Sequence, residues 1–257
     1  MVNDLNPWLP IRRPVPNSVT RLFCFPHAGG NAQVYRHWQS RLGAECEVCA
    51  VQLPGRWNRV HEPAISNLPQ LIESALDGLG PFLGDRFALF GYSVGALIAF
   101  EFARELRRRG LPAPRQMWVA ARRAPQVKTS DIPIRLLSDH ELIEIVAQRY
   151  GAIPQVVLDD PGMREIILPI LRSDLALDQN YQYIPQPPLD CPITVFGGID
   201  DRAASPDALE AWREHTRSSF RLRMFAGGHF FLNEEQEAVL DIIDGYWRDQ
   251  VTEPSAS

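Results

Sequence analysis

The sequence predicts an α/β fold in which helices cover both faces of a mainly parallel sheet. Strand-like apolar runs alternate with segments of helical periodicity from residue 21 to residue 121, and such alternation favours parallel strands joined by helices. A second observation is the run Gly91-Tyr92-Ser93-Val94-Gly95, which lies between a strand-like run and an amphipathic segment. A serine flanked by glycines in that context is typical of a tight turn at the carboxyl end of a strand.

The first half of the fold is predicted to contain four strands and three helices after a proline-rich arm at residues 7–16. Short apolar runs closed by glycine and proline indicate the strands. The helices are indicated by apolar side chains three and four residues apart, most clearly at 68–79. In chain order the predicted elements are strand 21–25, helix 31–42, strand 47–53, helix 68–79, strand 87–90, helix 96–109 and strand 117–121.

The pattern changes after residue 123, where two or three helical segments follow without a strand between them. Ser138 and Glu141 have the spacing of a capping box at the start of one of these helices, and residues 163–181 supply another. Strands at 193–196 and 221–225 and a helix at 236–247 complete the chain. We therefore expect one domain over residues 1–257, with a helical lid inserted at residues 125–188.

Composition excludes several classes of protein. The net charge of −5 argues against the positively charged surface that binds a nucleic acid. No apolar run approaches the ~20 residues that span a bilayer. The N-terminal segment lacks the pattern of a signal peptide. Cys46 and Cys49 have C-x-x-C spacing but lie in a strand-like run without a second pair, which favours buried thiols over a metal site. These features predict a cytoplasmic protein that binds neither nucleic acid nor membrane.

Ser93 is the candidate nucleophile. In a G-x-S-x-G elbow the serine occupies a strained strand-to-helix turn, and a β-carbon on either flanking residue would collide with a neighbouring element. The strain exposes the hydroxyl beside the amino terminus of the next helix, whose N–H groups face a developing negative charge. The alternative is a tight turn with a purely structural role.

His229 is the candidate base, because it follows a predicted strand directly and lies after every candidate acid. A loop histidine at the surface is the alternative. His37, His61, His140 and His215 are expected to be solvated because their surroundings are polar or helical.

The acid is expected at the carboxyl end of another strand, next to the elbow. The strand at 117–121 is followed by Arg122 and Arg123 and no acid, whereas the strand at 193–196 is followed by Asp200 and Asp201. Asp201 is favoured by its offset from the strand end, with Asp200 as the alternative.

Two backbone N–H groups are predicted to form an oxyanion hole. One belongs to Val94, directly after the nucleophile, and the other to Ala28 in the small-residue loop after the first strand, where an ordinary glycine turn is the alternative. His27 in that loop is expected to brace it rather than to act as a base.

These motifs resemble those of the type II thioesterases that accompany polyketide synthases and nonribosomal peptide synthetases. Members of that family are α/β-hydrolases that remove wrong or stalled acyl groups from carrier domains. The resemblance covers roughly residues 20–248 and rests on the runs at 23–30, 53–56, 91–95, 168–174, 196–201 and 225–231. Members of the family usually carry His and Met on either side of the serine, where this chain has Tyr92 and Val94. This departure is expected to change the shape of the acyl pocket.

The resemblance implies a hydrolase in which Ser93, His229 and Asp201 cleave an acyl thioester on a carrier's phosphopantetheine arm through an acyl-enzyme. It implies acyl or peptidyl carrier domains as partners, no metal or diffusible cofactor, and a free-standing enzyme, expected to be monomeric. Alternatives are a small-ester esterase, a medium-chain fatty acyl carrier thioesterase, and a carrier-binding protein with a vestigial triad. Candidate carrier contacts are Arg56, Arg59, Arg122 and Arg123; solvated side chains are the alternative. Candidate lid-lining or lid-packing residues are Leu136, Leu142, Ile145, Val146, Ile166, Leu171 and Leu175.

Overall fold

A six-stranded parallel sheet forms the centre of the computed structural model, which describes residues 6–16, 18, 20–128, 134–151 and 159–252. The strand order is β2-β1-β3-β4-β5-β6, and every described pair of neighbours is parallel. The predicted parallel sheet is therefore confirmed. The strands are β1 (Thr20–Phe25), β2 (Cys46–Ala50), β3 (Phe87–Tyr92), β4 (Met117–Ala120), β5 (Ile193–Gly198) and β6 (Phe220–Phe225).

Burial explains why the central strands are apolar runs and the edge strand β6 is not. Strands β3, β4 and β5 are buried along their whole length, as expected for a parallel sheet covered on both faces. In β6, Arg221 and Arg223 are exposed and alternate with partly buried neighbours. The carboxyl ends of all six strands lie at one edge of the sheet, where the predicted functional loops begin.

The helices pack on both faces of the sheet, as the sequence predicts. Helices α2 and α3 bury their apolar faces in one core cluster, and α1 and α7 bury theirs in a second cluster on the opposite face. The predicted helix at 31–42 is divided, because a 3-10 turn at Ala32–Tyr35 precedes α1. The helices are α1 (Trp38–Leu42), α2 (Leu68–Leu79), α3 (Val94–Arg108), α4 (Asp139–Tyr150), α5 (Pro161–Gln179), α6 (Pro206–Glu210) and α7 (Gln236–Thr252). None of the described helices is both long and apolar enough to cross a membrane.

The N-terminal arm packs against the domain instead of extending from it. Trp8 and Leu9 are buried in the core cluster of α2 and α3. A β-carbon on Gly78 of α2 would lie 2.2 Å from the Trp8 ring, so glycine is needed where the indole crosses the helix.

Helices α4 and α5 lie in the insertion between β4 and β5 and form a small cluster of their own. Leu142 and Val146 of α4 pack with Leu168, Leu171 and Leu175 of α5, and this cluster contacts Ala28. The predicted capping box at Ser138 is present, with both of its reciprocal hydrogen bonds.

For two of the candidate lid-lining or lid-packing residues the prediction is wrong. Leu136 and Ile166 are 73% and 55% exposed, because they face away from the α4–α5 contact. Residues 129–133 and 152–158 of the insertion lie outside the described part of the chain. The single-domain division and the lid bounds 125–188 stay predictions.

Candidate active site

Ser93 occupies the strained turn that the G-x-S-x-G pattern predicts. Its φ of 55° and ψ of −120° lie outside the conformations that a non-glycine residue ordinarily adopts. A β-carbon on Gly91 would lie 2.3 Å from the Ala96 Cα, and one on Gly95 would lie 2.2 Å from the Phe25 carbonyl oxygen. The two glycines are therefore required because β3, α3 and β1 approach each other closely at this turn.

His229 and Asp201 lie in a hydrogen-bonded line behind Ser93. The His229 Nε2 is 2.9 Å from the Ser93 Oγ, and the His229 Nδ1 is 2.9 Å from the Asp201 Oδ2. An ionised carboxylate only accepts hydrogen bonds, so Nδ1 carries a proton and Nε2 of the neutral ring accepts from the serine hydroxyl. This is the arrangement in which a histidine removes a proton from a serine.

The loops after β5 and β6 place the acid and the base together. Asp201 is buried, and its Oδ1 accepts from the Ala203 N–H at 2.8 Å. A β-carbon on Gly198 would lie 2.2 Å from the Gly228 carbonyl oxygen, so the two loops cross in contact. Asp200 is exposed, and its backbone N–H donates to the Gly227 oxygen. Of the two aspartates, Asp201 alone contacts His229.

Ala28 and Val94 line the same pocket as Ser93. Val94 is the first residue of α3, so its N–H has no acceptor within the helix. In the β1 loop the N–H groups of Gly29 and Gly30 are bonded to Asp174 and to the His27 oxygen. No hydrogen bond from the Ala28 amide is made to any residue that the structure describes.

His27 braces this loop, as the sequence predicts. Its Nδ1 is 2.9 Å from the Ala28 carbonyl oxygen; because a carbonyl only accepts, Nδ1 donates. Burial, partly offset by the hydrogen bond to Ala28, lowers the pKa of His27. The ring packs edge-on against Tyr92 and Phe230, and no hydrogen bond joins it to Ser93 among the described residues.

An ion pair that the sequence did not reveal ties α5 to the same loop. Asp174 of α5 is fully buried and accepts two hydrogen bonds from Arg56, at 2.5 and 2.7 Å. It also accepts from the Gly29 N–H at 2.8 Å, and Arg56 donates to the Gly30 oxygen at 3.3 Å. Both residues lie in the motifs of the family resemblance, but only the fold brings together residues 118 positions apart.

The prediction that four arginines offer contacts to a carrier domain is wrong. Arg56 and Arg59 are buried, the first against Asp174 and the second against Glu62 and the Trp8 ring. Arg122 is buried and Arg123 mostly so, and both donate to Asp178 of α5. For Arg56, Arg122 and Arg123 the carboxylate partner is 118, 56 and 55 positions away in the chain, so local sequence does not predict that these guanidinium groups are buried.

His215 is also placed differently from the prediction of a solvated side chain. It is buried against Phe100, Trp212 and Tyr183, and its Nε2 lies 2.5 Å from the Gln126 Oε1. Burial and the Arg104 cation lower the pKa of His215 to about 4.

Cys46 and Cys49 are buried free thiols, as predicted, and burial together with the Glu47 charge raises the pKa of Cys49 to about 12.

Tyr92 and Val94, the two departures from the family pattern, have different positions. Val94 lines the pocket at Ser93, whereas Tyr92 does not. The Tyr92 hydroxyl donates to the His229 carbonyl oxygen at 2.8 Å. The expectation that both side chains shape the acyl pocket therefore applies to Val94 alone, and Tyr92 holds the loop of the candidate base.

Helices α4 and α5 leave little space above Ser93. The cavity there has a volume of about 30 Å³ and is lined by Val146 and Tyr150 of α4 and Leu171 of α5. The Tyr150 and His229 ring centroids are 4.7 Å apart. A larger cavity of about 600 Å³ adjoins it and shares five lining residues with it. They are Arg122, Val146, Tyr150, Leu175 and Asp178.

Nucleophilic acyl transfer is the chemistry that a serine hydrogen-bonded to a histidine–aspartate pair can perform, in which the serine attacks and the histidine moves a proton. Within the described ranges, no group of three or more His, Cys, Asp or Glu side chains is placed to hold a metal ion.

Comparisons with known proteins agree with this chemistry. The family model described as a thioesterase domain matches residues 20–246. The gramicidin S biosynthesis protein GrsT of Aneurinibacillus migulanus is 38% identical over 94% of this chain and 94% of its own. The RedJ thioesterase from the prodiginine pathway of Streptomyces coelicolor is 39% identical, with a TM-score of 0.83 over 93% of this chain and 92% of that one. The type II thioesterase BorB from the borrelidin cluster is 37% identical, with a TM-score of 0.83 over 91% of this chain and 95% of that one.

Proposed function

This chain belongs to the thioesterase family and is a thioester hydrolase of the α/β-hydrolase fold, and from that premise we propose that it releases acyl groups from the phosphopantetheine arms of carrier domains. Ser93 is the proposed nucleophile, His229 the base and Asp201 its partner. The acyl groups are aberrant or stalled ones on a polyketide or nonribosomal peptide synthase. The printed names of the relatives, a gramicidin S biosynthesis protein and a borrelidin type II thioesterase, support this setting.

In the first half of the reaction the Ser93 Oγ attacks the thioester carbonyl carbon while the His229 Nε2 takes the hydroxyl proton. The carbonyl oxygen becomes an oxyanion, which the N–H groups of Ala28 and Val94 stabilise; each such donor contributes about 3 to 4 kcal/mol. The carbon–sulfur bond then breaks, and the thiol leaves with the proton from His229. An ester between Ser93 and the acyl group remains.

In the second half His229 takes a proton from water, and the hydroxide adds to the ester carbon. The same amides stabilise the second oxyanion. Collapse returns the proton to the Ser93 Oγ and releases the carboxylic acid. Asp201 keeps the proton on Nδ1 of His229 throughout and stabilises the imidazolium that forms in each half. This sequence of steps requires no metal or diffusible cofactor, which is part of the proposal.

The observation that carries the proposal is the continuous line of hydrogen bonds from Ser93 through His229 to Asp201, at 2.9 Å each. It begins at a strained serine, and Ala28 and Val94 line the same pocket as that serine. Strain of this kind persists where the surrounding structure imposes it, as at catalytic turns. We also propose a monomeric enzyme of the cytoplasm, consistent with its four buried free cysteines; sedimentation measures its oligomeric state.

The test is the hydrolysis of an acyl group on a carrier domain by the Ser93→Ala variant. We expect kcat to fall at least about 10³-fold, because removing a triad nucleophile leaves only binding and the oxyanion hole. Ser40→Ala, which removes an exposed hydroxyl, is the control. Hydrolysis that persists in Ser93→Ala contradicts the proposed mechanism.

A second experiment compares the rates of hydrolysis of the same acyl groups, over a range of chain lengths, on a carrier domain and on a free thiol. This comparison separates carrier editing from a general esterase and from a medium-chain thioesterase.

A further inference from the structure

The cavity of about 600 Å³ beside the active site is lined by an unusual number of cations. It lies between α4, α5 and the segment that follows β4. Arg122, Arg123, Lys128 and Arg149 line it, whereas Asp178 is its one acidic residue among the described lining residues. The described lining therefore carries an excess of three positive charges.

The one carboxylate of this lining, Asp178, is already paired with two arginines. Asp178 accepts from Arg122 at 2.7 Å and from Arg123 at 2.8 Å, and these cations hold its pKa well below the ordinary value against the effect of burial. Arg149 lies over the edge of the Tyr150 ring, 5.8 Å from its centroid. Neither Arg149 nor Lys128 forms an ion pair with a carboxylate in the part of the chain that the structure describes. Two of the four cations therefore have no counter-charge there.

Arg122 combines a buried position with a place in the lining of both spaces. Its side chain is only 5% exposed, yet its Nε has no hydrogen-bond partner. Buried donors are ordinarily paired, because leaving one unpaired is costly. Arg122 also lines both the large cavity and the small space at Ser93. Arg122 therefore adds positive charge where the two spaces adjoin.

The size of the space at Ser93 indicates why part of the thioester substrate would enter the large cavity. A volume of about 30 Å³ holds little more than a water molecule. Neither the acyl chain nor the pantetheine arm fits within that volume. With Val146, Tyr150 and Leu171 above Ser93, one half of the substrate must extend into the adjoining cavity.

We propose that this cavity is an anion subsite, in which Arg149 binds an anionic oxygen group of the thioester substrate and the other cations of the lining add to the positive potential. The inference rests on the proposed function and extends it to substrate class. Two parts of a carrier-bound substrate can supply that chemistry: the phosphate of the pantetheine arm, or a carboxylate at the far end of the acyl chain. Arginine suits both, because its planar N–H groups match carboxylate and phosphate oxygens.

The kinetic test compares three thioesters that differ by one anionic group. Pentanoyl-pantetheine is neutral, pentanoyl-phosphopantetheine adds the phosphate, and glutaryl-pantetheine adds a terminal carboxylate on a chain of equal length. We expect one of the two anionic substrates to have a kcat/KM about tenfold above that of the neutral one, the scale of a charge-assisted hydrogen bond. Whichever substrate is preferred identifies the source of the anion.

Arg149→Gln should reduce that ratio to near one, and Arg149→Lys should restore part of it. Arg164→Gln, which removes a charge from α5 outside the cavity lining, is the matched control and should keep the full ratio. Equal kcat/KM values for all three substrates in the unmodified enzyme, or equal ratios in Arg149→Gln and Arg164→Gln, would overturn the anion subsite.

A binding measurement separates failure of the subsite from failure of the proposed function. Phosphopantetheine and pantetheine, and glutarate and pentanoate, are titrated calorimetrically into the Ser93→Ala variant with and without Arg149→Gln. Tighter binding of one anion that depends on Arg149 supports the subsite whether or not Ser93 is the nucleophile. Anion affinities that Arg149→Gln leaves unchanged contradict it, even if hydrolysis depends on Ser93 as proposed.

Discussion

Asp200 and Asp201 are adjacent in the chain but lie in different environments. The Asp201 carboxylate is buried against His229, whereas Asp200 is exposed. We predict that Asp201→Asn lowers kcat about 10³- to 10⁴-fold, because an amide in place of the carboxylate favours the wrong tautomer of His229 and does not stabilise its cation. Asp200→Asn should remain within a few fold of the unmodified enzyme. Steady-state hydrolysis of an acyl thioester measures both, and the reverse ranking would reject Asp201 as the triad acid.

Tyr92 stabilises the loop of the base through one hydroxyl group. The bond from its hydroxyl to the His229 carbonyl oxygen, 2.8 Å long, is buried. Tyr92→Phe should lower the free energy of unfolding by about 1 to 3 kcal/mol, since it leaves a buried carbonyl without its donor. The control is Tyr246→Phe, whose hydroxyl bond to the Arg115 oxygen is exposed and whose loss should cost less than about 0.5 kcal/mol. Urea unfolding measures both variants. Equal losses of unfolding free energy would show that the buried Tyr92 hydrogen bond stabilises the protein no more than the exposed one.

At the scale of elements, helix α5 directly supports the loop that carries the proposed oxyanion donor Ala28. Asp174 accepts from the Gly29 N–H, one residue beyond the Ala28 amide, and is held by two hydrogen bonds from Arg56. The position of the Ala28 amide therefore depends on a buried ion pair between the insertion and the loop after β2. Such pairs are strongly destabilising to break, because the remaining charge stays buried.

Asp174→Asn should lower kcat, by up to about 10²- to 10³-fold, the loss that follows removal of one oxyanion donor. KM should change much less, since the loop amide acts mainly on the transition state. The control is Asp139→Asn, which removes an exposed carboxylate of α4 paired with Arg172. Thermal melting accompanies the kinetics. A lower melting temperature with unchanged kcat in the folded variant would assign Asp174 a structural role only.

At the scale of the whole molecule, the buried His215 makes stability depend on pH. Its folded-state pKa of about 4 lies below the ordinary 6.5, so between these values the unfolded chain binds a proton that the folded protein does not. The contribution of the neutral, buried His215 to the free energy of unfolding is complete above about pH 6.5 and is lost as the pH falls towards 4. The shift corresponds to about 3 kcal/mol.

We predict that the free energy of unfolding, measured in urea from pH 7 to pH 4, falls less steeply in His215→Gln than in the unmodified protein. His61→Gln, which changes an exposed histidine, should keep the original slope. Identical slopes in all three proteins would exclude His215 as a source of the acid sensitivity.

The local elements follow closely from the sequence because their causes are local. Helix α2 spans Leu68–Leu79 as its apolar spacing predicts, and the capping box of α4 begins at Ser138 as expected. The predicted helix at 31–42 failed because Asn31 caps a separate 3-10 turn, which the periodicity does not register. Periodicity records which side chains are buried together, but not where the backbone is interrupted.

The sequence by itself determined the parallel sheet, the strained turn at Ser93, and the order of serine, acid and histidine at strand ends. These depend on burial patterns, on glycines that no other residue can replace, and on the fact that parallel strands end at one edge. Only the tertiary structure placed Asp201 and not Asp200 against His229, paired Arg56 with Asp174 and Arg122 with Asp178, and buried His215. Each of those outcomes is a contact between side chains far apart in the chain, and the energy of a charge depends on the partner and the burial that folding supplies.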